Sequence, residues 1–192
     1  MNMDANTMAN VVLGILAGLL LLAAWIDIRS NHIPNWLVLI GILLGLLFNI
    51  FLPSGFGFNS AMPGGLGWKA SLGGMATGLI VMLPIYLIRA MGAGDVKLMA
   101  MVGAFLGATQ ILGVVVTTFL VGGVMALAMA VRLKMVRQVA HNMKTMAYIG
   151  VAKASIGEMP DARDATRTTG RMPYGVAIAL GSLIYLVWHR LM

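Results

Sequence analysis

Long apolar runs alternate with short polar breaks along this chain. The first run, about Val11 to Ile28, ends at the polar "RSNHIPN", where Pro34 favours a turn or a new helix start over continuation. A second run, Trp36 to Leu52, stops at the Gly/Pro-rich "PSGFGFNSAMPGGLGWK". A third, about Ser71 to Ile88, carries Pro84, a candidate kink. After "RAMGAGD" comes Val96 to Val131, a stretch of 36 residues whose one charge is Lys97. The last run is about Tyr174 to Trp188. Runs of this length predict membrane helices, which need roughly 20 apolar residues each. No period of 20 to 50 residues recurs, which argues against a solenoid.

The 36-residue stretch is either one overlong helix or two short ones meeting near Gly107 to Gln110. Charge decides between them. With two helices, and the N-terminus outside, one face collects Arg29, Arg89, Lys97 and the eight basic residues between Arg132 and Arg171, which is eleven of the thirteen Lys and Arg. Only Lys69 and Arg190 fall opposite. A single long helix would divide them. Basic residues favour the cytoplasmic side. The expected architecture is therefore all-α: a polytopic integral membrane protein of about six transmembrane helices, both termini outside. Residues 1–192 form a single transmembrane domain in this reading, with a basic cytoplasmic loop at about 132–171. Within that loop Val136, Val139, Met143, Met146 and Ile149 recur near helical spacing. They suit a helix lying on the anionic inner leaflet or an extension of the fifth helix into the cytosol.

Composition narrows the function classes. Sixty per cent hydrophobic and ten per cent charged residues, with a mean hydropathy of +0.92, lie outside the soluble globular range. The net charge of +7 would suggest nucleic acid in a soluble protein. Here the cations flank apolar runs, so the expected partner is the bilayer and not nucleic acid. Cysteine is absent, and the three histidines are scattered, so no metal site, cofactor or thiol nucleophile is expected. The first run lacks a basic segment before it and a small-residue cleavage site after it, which predicts a retained helix.

The chain has six acidic residues. Asp4, Glu158, Asp161 and Asp164 lie in polar sequence; Asp27 and Asp95 sit at the edges of apolar runs. The six-helix topology puts both at one depth on the cytoplasmic side. Singly, each has a plain interfacial reading: Asp27 pairing with Arg29, Asp95 capping a helix that starts at Val96. Together they suit catalysis. Two adjacent carboxylates do not both ionise cheaply, so one holds a proton while the other is charged. That asymmetry serves peptide hydrolysis by water, with one group taking a proton and the other polarising the carbonyl. Gly92 and Gly94 lack side chains and allow positive φ, which would let an extended substrate backbone approach Asp95.

The constellation "WIDIRSNHIPNWLV", "GAGDVKLM" and "RMPYGVAIALG" resembles the type IV prepilin peptidases, membrane aspartic peptidases with a G-x-G-D motif. The shared landmarks are an Asp in the first helix continuing D-x-R…I-P-N, the G-x-G-D-x-K run, and a Pro-Tyr-Gly opening the last helix. The resemblance implies that Asp27 and Asp95 are the catalytic pair, with Gly92 and Gly94 as motif glycines. It implies a prepilin or pseudopilin substrate, cut after a short basic leader at the cytoplasmic face of the inner membrane. Longer family members carry a Cys-rich insertion and also methylate the new N-terminus. This chain has no cysteine and no room for that insertion, and looks like the short form of tight-adherence (Flp-type) systems.

Other candidates are secondary. Lys97 either tunes the aspartates or anchors the interface; Arg29 orients the chain or pairs with Asp27. Pro34 and Asn35 shape the start of the second helix. His32 reads as an interfacial loop residue and Tyr174 as part of an aromatic belt. Three other functions remain: a small proton- or cation-coupled transporter component, a non-catalytic pilus assembly scaffold, and a presenilin-type protease. The last pairs its motif with a Tyr-Asp, and Tyr86 to Ile88 lacks the Asp.

Overall fold

The structure, a computed structural model, describes residues 5–52, 66–88, 90–132 and 174–191. The expected inner-leaflet helix and most of the basic loop fall outside them. Among the described residues every regular element is a helix: α1 (Ala5–Ser30), α2 (Asn35–Phe51), α3 (Trp68–Leu87), α4 (Ala93–Arg132) and α5 (Tyr174–Leu191). Helix α1 stops where Asn31 adopts φ 48°, a left-handed residue of the kind that closes helices. Pro34 then caps α2 at φ −70° and ψ 136°, as its fixed ring suits. Pro84 lies within the last turn of α3, close to the end of the helix.

Helix α4 is two helices. Gly107 at φ 81° and ψ 173° breaks it, a conformation open essentially to glycine alone. Cross-helix contacts show that the chain reverses there. The first segment rises from Asn35 and Lys97, which are hydrogen-bonded at 3.0 Å, alongside α2. Farther up, Met101 fills the space over Gly41, and Phe105 that over Gly45. Helix α3 descends against it: Ser71 bonds the Ala104 carbonyl at 2.6 Å, and Gly78 lies against Met99. Beyond Gly107, Gly113 meets Tyr185, Thr118 meets Gly181, and Gly122 meets Ala177, so the second segment runs back down as α5 rises. The five described elements thus supply six helical segments of alternating direction, with the break at the start of the Gly107–Gln110 window read from the sequence.

The break exposes carbonyls that a continuous helix would use. Side chains take them. Asn49 Nδ2 donates to the carbonyls of Ala104 at 2.8 Å and Phe105 at 3.3 Å, and Asn49 Oδ1 accepts from Leu66 N–H at 3.2 Å. One asparagine on α2 therefore ties the reversal in α4 to the start of α3.

The first segment of α4 is the centre of the bundle. Leu98 through Gly107 are buried without interruption, as befits a helix that is apolar all round. Small residues let its neighbours approach: a Cβ on Gly74 would run into the Gly103 carbonyl, and one on Gly103 into that of Gly74. Such small-on-small seams are how helices associate where lipid removes the hydrophobic drive. Among the described residues three helices, counting α4 whole, are long and apolar enough to cross a membrane, and α2 and α5 are shorter apolar helices. All four tryptophans are more than half exposed. Trp25 and Trp36 lie toward one end of the bundle, Trp68 and Trp188 toward the other, the distribution of two interfacial belts.

Candidate active site

Asp27 belongs to the buried face of α1. Val12, Leu16, Leu20, Ala23 and Asp27 recur at three- and four-residue intervals, so the helix that buries the first four also turns the carboxylate inward. It is 5% exposed. Its Oδ2 accepts a hydrogen bond from the N–H of Gly175 at 2.8 Å. Gly175 is the second residue of α5, and first-turn amides have no acceptor within their own helix. The carboxylate fills that vacancy at the positive end of a helix.

Asp95 is the third residue of α4 and is 8% exposed. Its Oδ2 accepts from Gly92 N–H at 3.0 Å, while its own N–H donates to the Gly92 carbonyl at 3.2 Å. This is half of a capping box, an acid in the first turn reaching back to the residue before the helix. The capping alternative therefore describes one oxygen of Asp95, with the helix starting at Ala93 and not at Val96. No described residue takes the second oxygen of either aspartate. Each carboxylate thus has one oxygen fixed by a backbone amide and one without a partner among the described residues.

The fold brings the two together. They lie at the same end of the bundle, close enough for the charge of Asp27 to be felt at Asp95. The short link between α1 and α2 does much of the placing. A Cβ on Gly94 would come within 3.2 Å of Ile33 Cβ, so this link rests directly on the start of α4. The Lys97–Asn35 hydrogen bond is a second tie between the same parts.

The two motif glycines do not use the backbone freedom that the sequence expectation allowed them. Neither has positive φ. Gly94 makes room for Ile33, and a Cβ on Gly92 would sit 3.3 Å from Asp95 Oδ2. Gly94 is half-buried and Gly92 exposed, so the backbone beside Asp95 stays open at Gly92. Arg29 places its guanidinium 4.4 Å from the centre of the Trp25 ring, so the Arg29–Asp27 pair weighed from sequence is not the contact formed. The ammonium of Lys97 goes to Asn35. Tyr174 is half-buried, packs on the core and lies within electrostatic reach of Asp95, which departs from a belt residue facing lipid. Among the described residues no group of three or more His, Cys, Asp or Glu is placed to share a metal ion.

Residues 14–127 match the type IV leader peptidase family. The chain belongs to that family. The matched segment holds Asp27, Gly92, Gly94 and Asp95, so both carboxylates lie in the part of the chain that carries the family pattern. No curated protein and no solved structure matches the chain. Membership makes this a peptidase, and its apolar helices are those of a membrane protein. What sequence reasoning missed in this member of the family is Gly175. The Pro-Tyr-Gly landmark pointed to the start of α5, but nothing in its spacing tells that its amide meets an aspartate 148 positions earlier.

Proposed function

We propose that this leader peptidase is an aspartic endopeptidase of the inner membrane that removes the short basic leader from type IV prepilins or pseudopilins at the cytoplasmic face. The observation that carries the reading is the pair of buried carboxylates at one end of the bundle, each with one oxygen anchored and the other without a partner among the described residues. In the mechanism the ionised carboxylate takes a proton from a water molecule, whose oxygen attacks the scissile carbonyl. The protonated carboxyl gives its proton to the carbonyl oxygen. Collapse of the tetrahedral adduct then breaks the C–N bond: one of its hydroxyls returns a proton to the second carboxylate as the new carbonyl forms, and the proton first taken from water passes to the leaving amine. The transporter alternative needs acids along a path through the membrane; these sit at one end. Incubating the membrane-embedded protein with a prepilin and sequencing the product's N-terminus tests the activity.

Orientation has its own test. Arg29, Lys97 and Arg132 fall toward the end that holds the aspartates and Lys69 toward the other, which supports a cytoplasmic site. Because the chain has no native cysteine, His32→Cys and Lys69→Cys report the two ends cleanly. His32→Cys is expected to label from the cytoplasmic side and Lys69→Cys from outside. Labelling of both from one side would sink the assignment.

The substrate in this proposal is a Flp-type pilin, and the enzyme adds no methyl group. The support is the four-residue link 31–34 between α1 and α2, too short for a Cys-rich insertion, in a chain without cysteine. Pilin processed by the pure protein with S-adenosylmethionine present is expected to show an unmodified N-terminal residue by mass spectrometry. A mass increment of one methyl group on that residue would overturn the peptidase-only reading.

A further inference from the structure

Gly175 lies outside the matched segment and touches neither water nor substrate in the mechanism above, yet it is built around Asp27. We infer that Gly175 is the positioning residue for the Asp27 carboxylate, acting through its amide and through the absence of a side chain. The inference rests on the peptidase reading. Asp27 ends a side chain with two free torsions near the end of α1, and a reacting carboxylate must be held in one of their combinations. The 2.8 Å bond from Gly175 N–H supplies that hold, and hydrogen bonds to ionised carboxylates are the stronger kind. The donor is itself fixed, because α5 is seated along its length: Gly181 lies on the Thr118 backbone, and Tyr185 is hydrogen-bonded to Gln110.

The second half of the argument is steric. A Cβ at position 175 would lie 2.8 Å from Asp27 Oδ2, 3.0 Å from its Cγ and 3.1 Å from its Cβ. The three nearest atoms all belong to that one side chain. A pinned helix and a rotatable carboxylate share the collision unequally, and the carboxylate moves. Displacement of a reacting group by about 1 Å costs about 10²-fold in rate. Gly181 is the contrast: a Cβ there meets Thr118 Cα and N, which are backbone atoms, so its role is in the fold.

The test uses the full-length protein in detergent or proteoliposomes. Gly175→Ala is expected to lower kcat for prepilin cleavage by about 10²-fold per folded molecule with KM unchanged, the signature of a lost transition-state arrangement. A melting comparison isolates the contact. Gly175→Ala should lower Tm in the wild-type background and not in an Asp27→Ala background, where its collision partner is gone. Gly181→Ala should lower Tm in both. A wild-type kcat for Gly175→Ala, or a Tm penalty that persists beside Asp27→Ala, overturns the assignment. If the Gly175→Ala protein does not fold, recovery of folding in the double variant supports it, and failure to recover overturns it. Should the wild-type protein cut no prepilin, the peptidase reading falls, and the melting comparison alone decides whether Gly175 places Asp27.

Discussion

Asp27→Asn and Asp95→Asn are each expected to abolish prepilin cleavage while leaving the protein folded and inserted. Asparagine keeps the size of the side chain and an oxygen that can still accept from Gly175 or Gly92, so the two amide contacts survive. It neither takes a proton from water nor gives one to a carbonyl. General acid and base groups contribute about 10²–10⁴-fold each, which puts either variant near the floor of a mobility-shift assay. The losses do not add in the double variant, because either change alone disables the shared unit. Asp95→Glu is also severely impaired. One methylene shifts the carboxylate by about 1 Å, a cost of about 10²-fold when positioning governs rate, and it draws Oδ2 away from Gly92. Asp161→Asn and Asp164→Asn, in the polar stretch of the sequence, serve as controls with near-normal activity. Substantial cleavage by either single Asn variant at wild-type protein levels would falsify the two-aspartate mechanism.

The aspartates were legible because acids are scarce. In a chain with six of them, two at the edges of apolar runs stand out against the cost of placing a charge near lipid. Helix ends were legible for a local reason: Asn31, Pro34 and the glycines around Asp95 interrupt the apolar runs close to where the helices stop and start. What faces what was not legible. In a soluble helix the buried stripe is apolar and the opposite face polar, so a period of 3.6 reveals the core. Here the lipid face is as apolar as the core, and Leu98 to Gly107, the most buried segment, reads like its neighbours. The small residues that mark the seams, Gly41, Gly45, Gly74, Gly78 and Gly103, are lost among 24 glycines. The break at Gly107 lies in the Gly107–Gln110 window named as the meeting point, and loop charges were what favoured two helices over one there. Gly92 and Gly94 were noticed as missing side chains beside Asp95, but a motif does not say which neighbours stand there. Gly94 stands against Ile33, and Gly92 beside Asp95 Oδ2.

Asn49 was passed over altogether, a lone amide in the apolar run of α2, and it carries the largest expected effect on stability. Asn49→Leu keeps the volume and removes the tie at the reversal of α4. The Phe105 carbonyl and the Leu66 N–H lose their side-chain partners; the Ala104 carbonyl keeps Ser71 Oγ. Each buried polar group left unpaired costs about 1–3 kcal/mol, so the change costs about 2 kcal/mol or more. Ser71→Ala, which removes one donor from a carbonyl that Asn49 still serves, is the milder variant. Gly107→Ala attacks the same reversal from the backbone side, forcing a Cβ onto a residue at φ 81° and ψ 173°, at about 1–3 kcal/mol. Because both act on one turn, the penalties of Asn49→Leu and Gly107→Ala fall short of their sum when combined. The measurement is thermal unfolding of the purified protein in detergent, with cleavage followed in parallel. Asn49→Leu should lose activity only as it loses folded protein, whereas the Asp→Asn variants lose activity at an unchanged Tm. A wild-type melting curve for Asn49→Leu would show that the reversal holds without its asparagine.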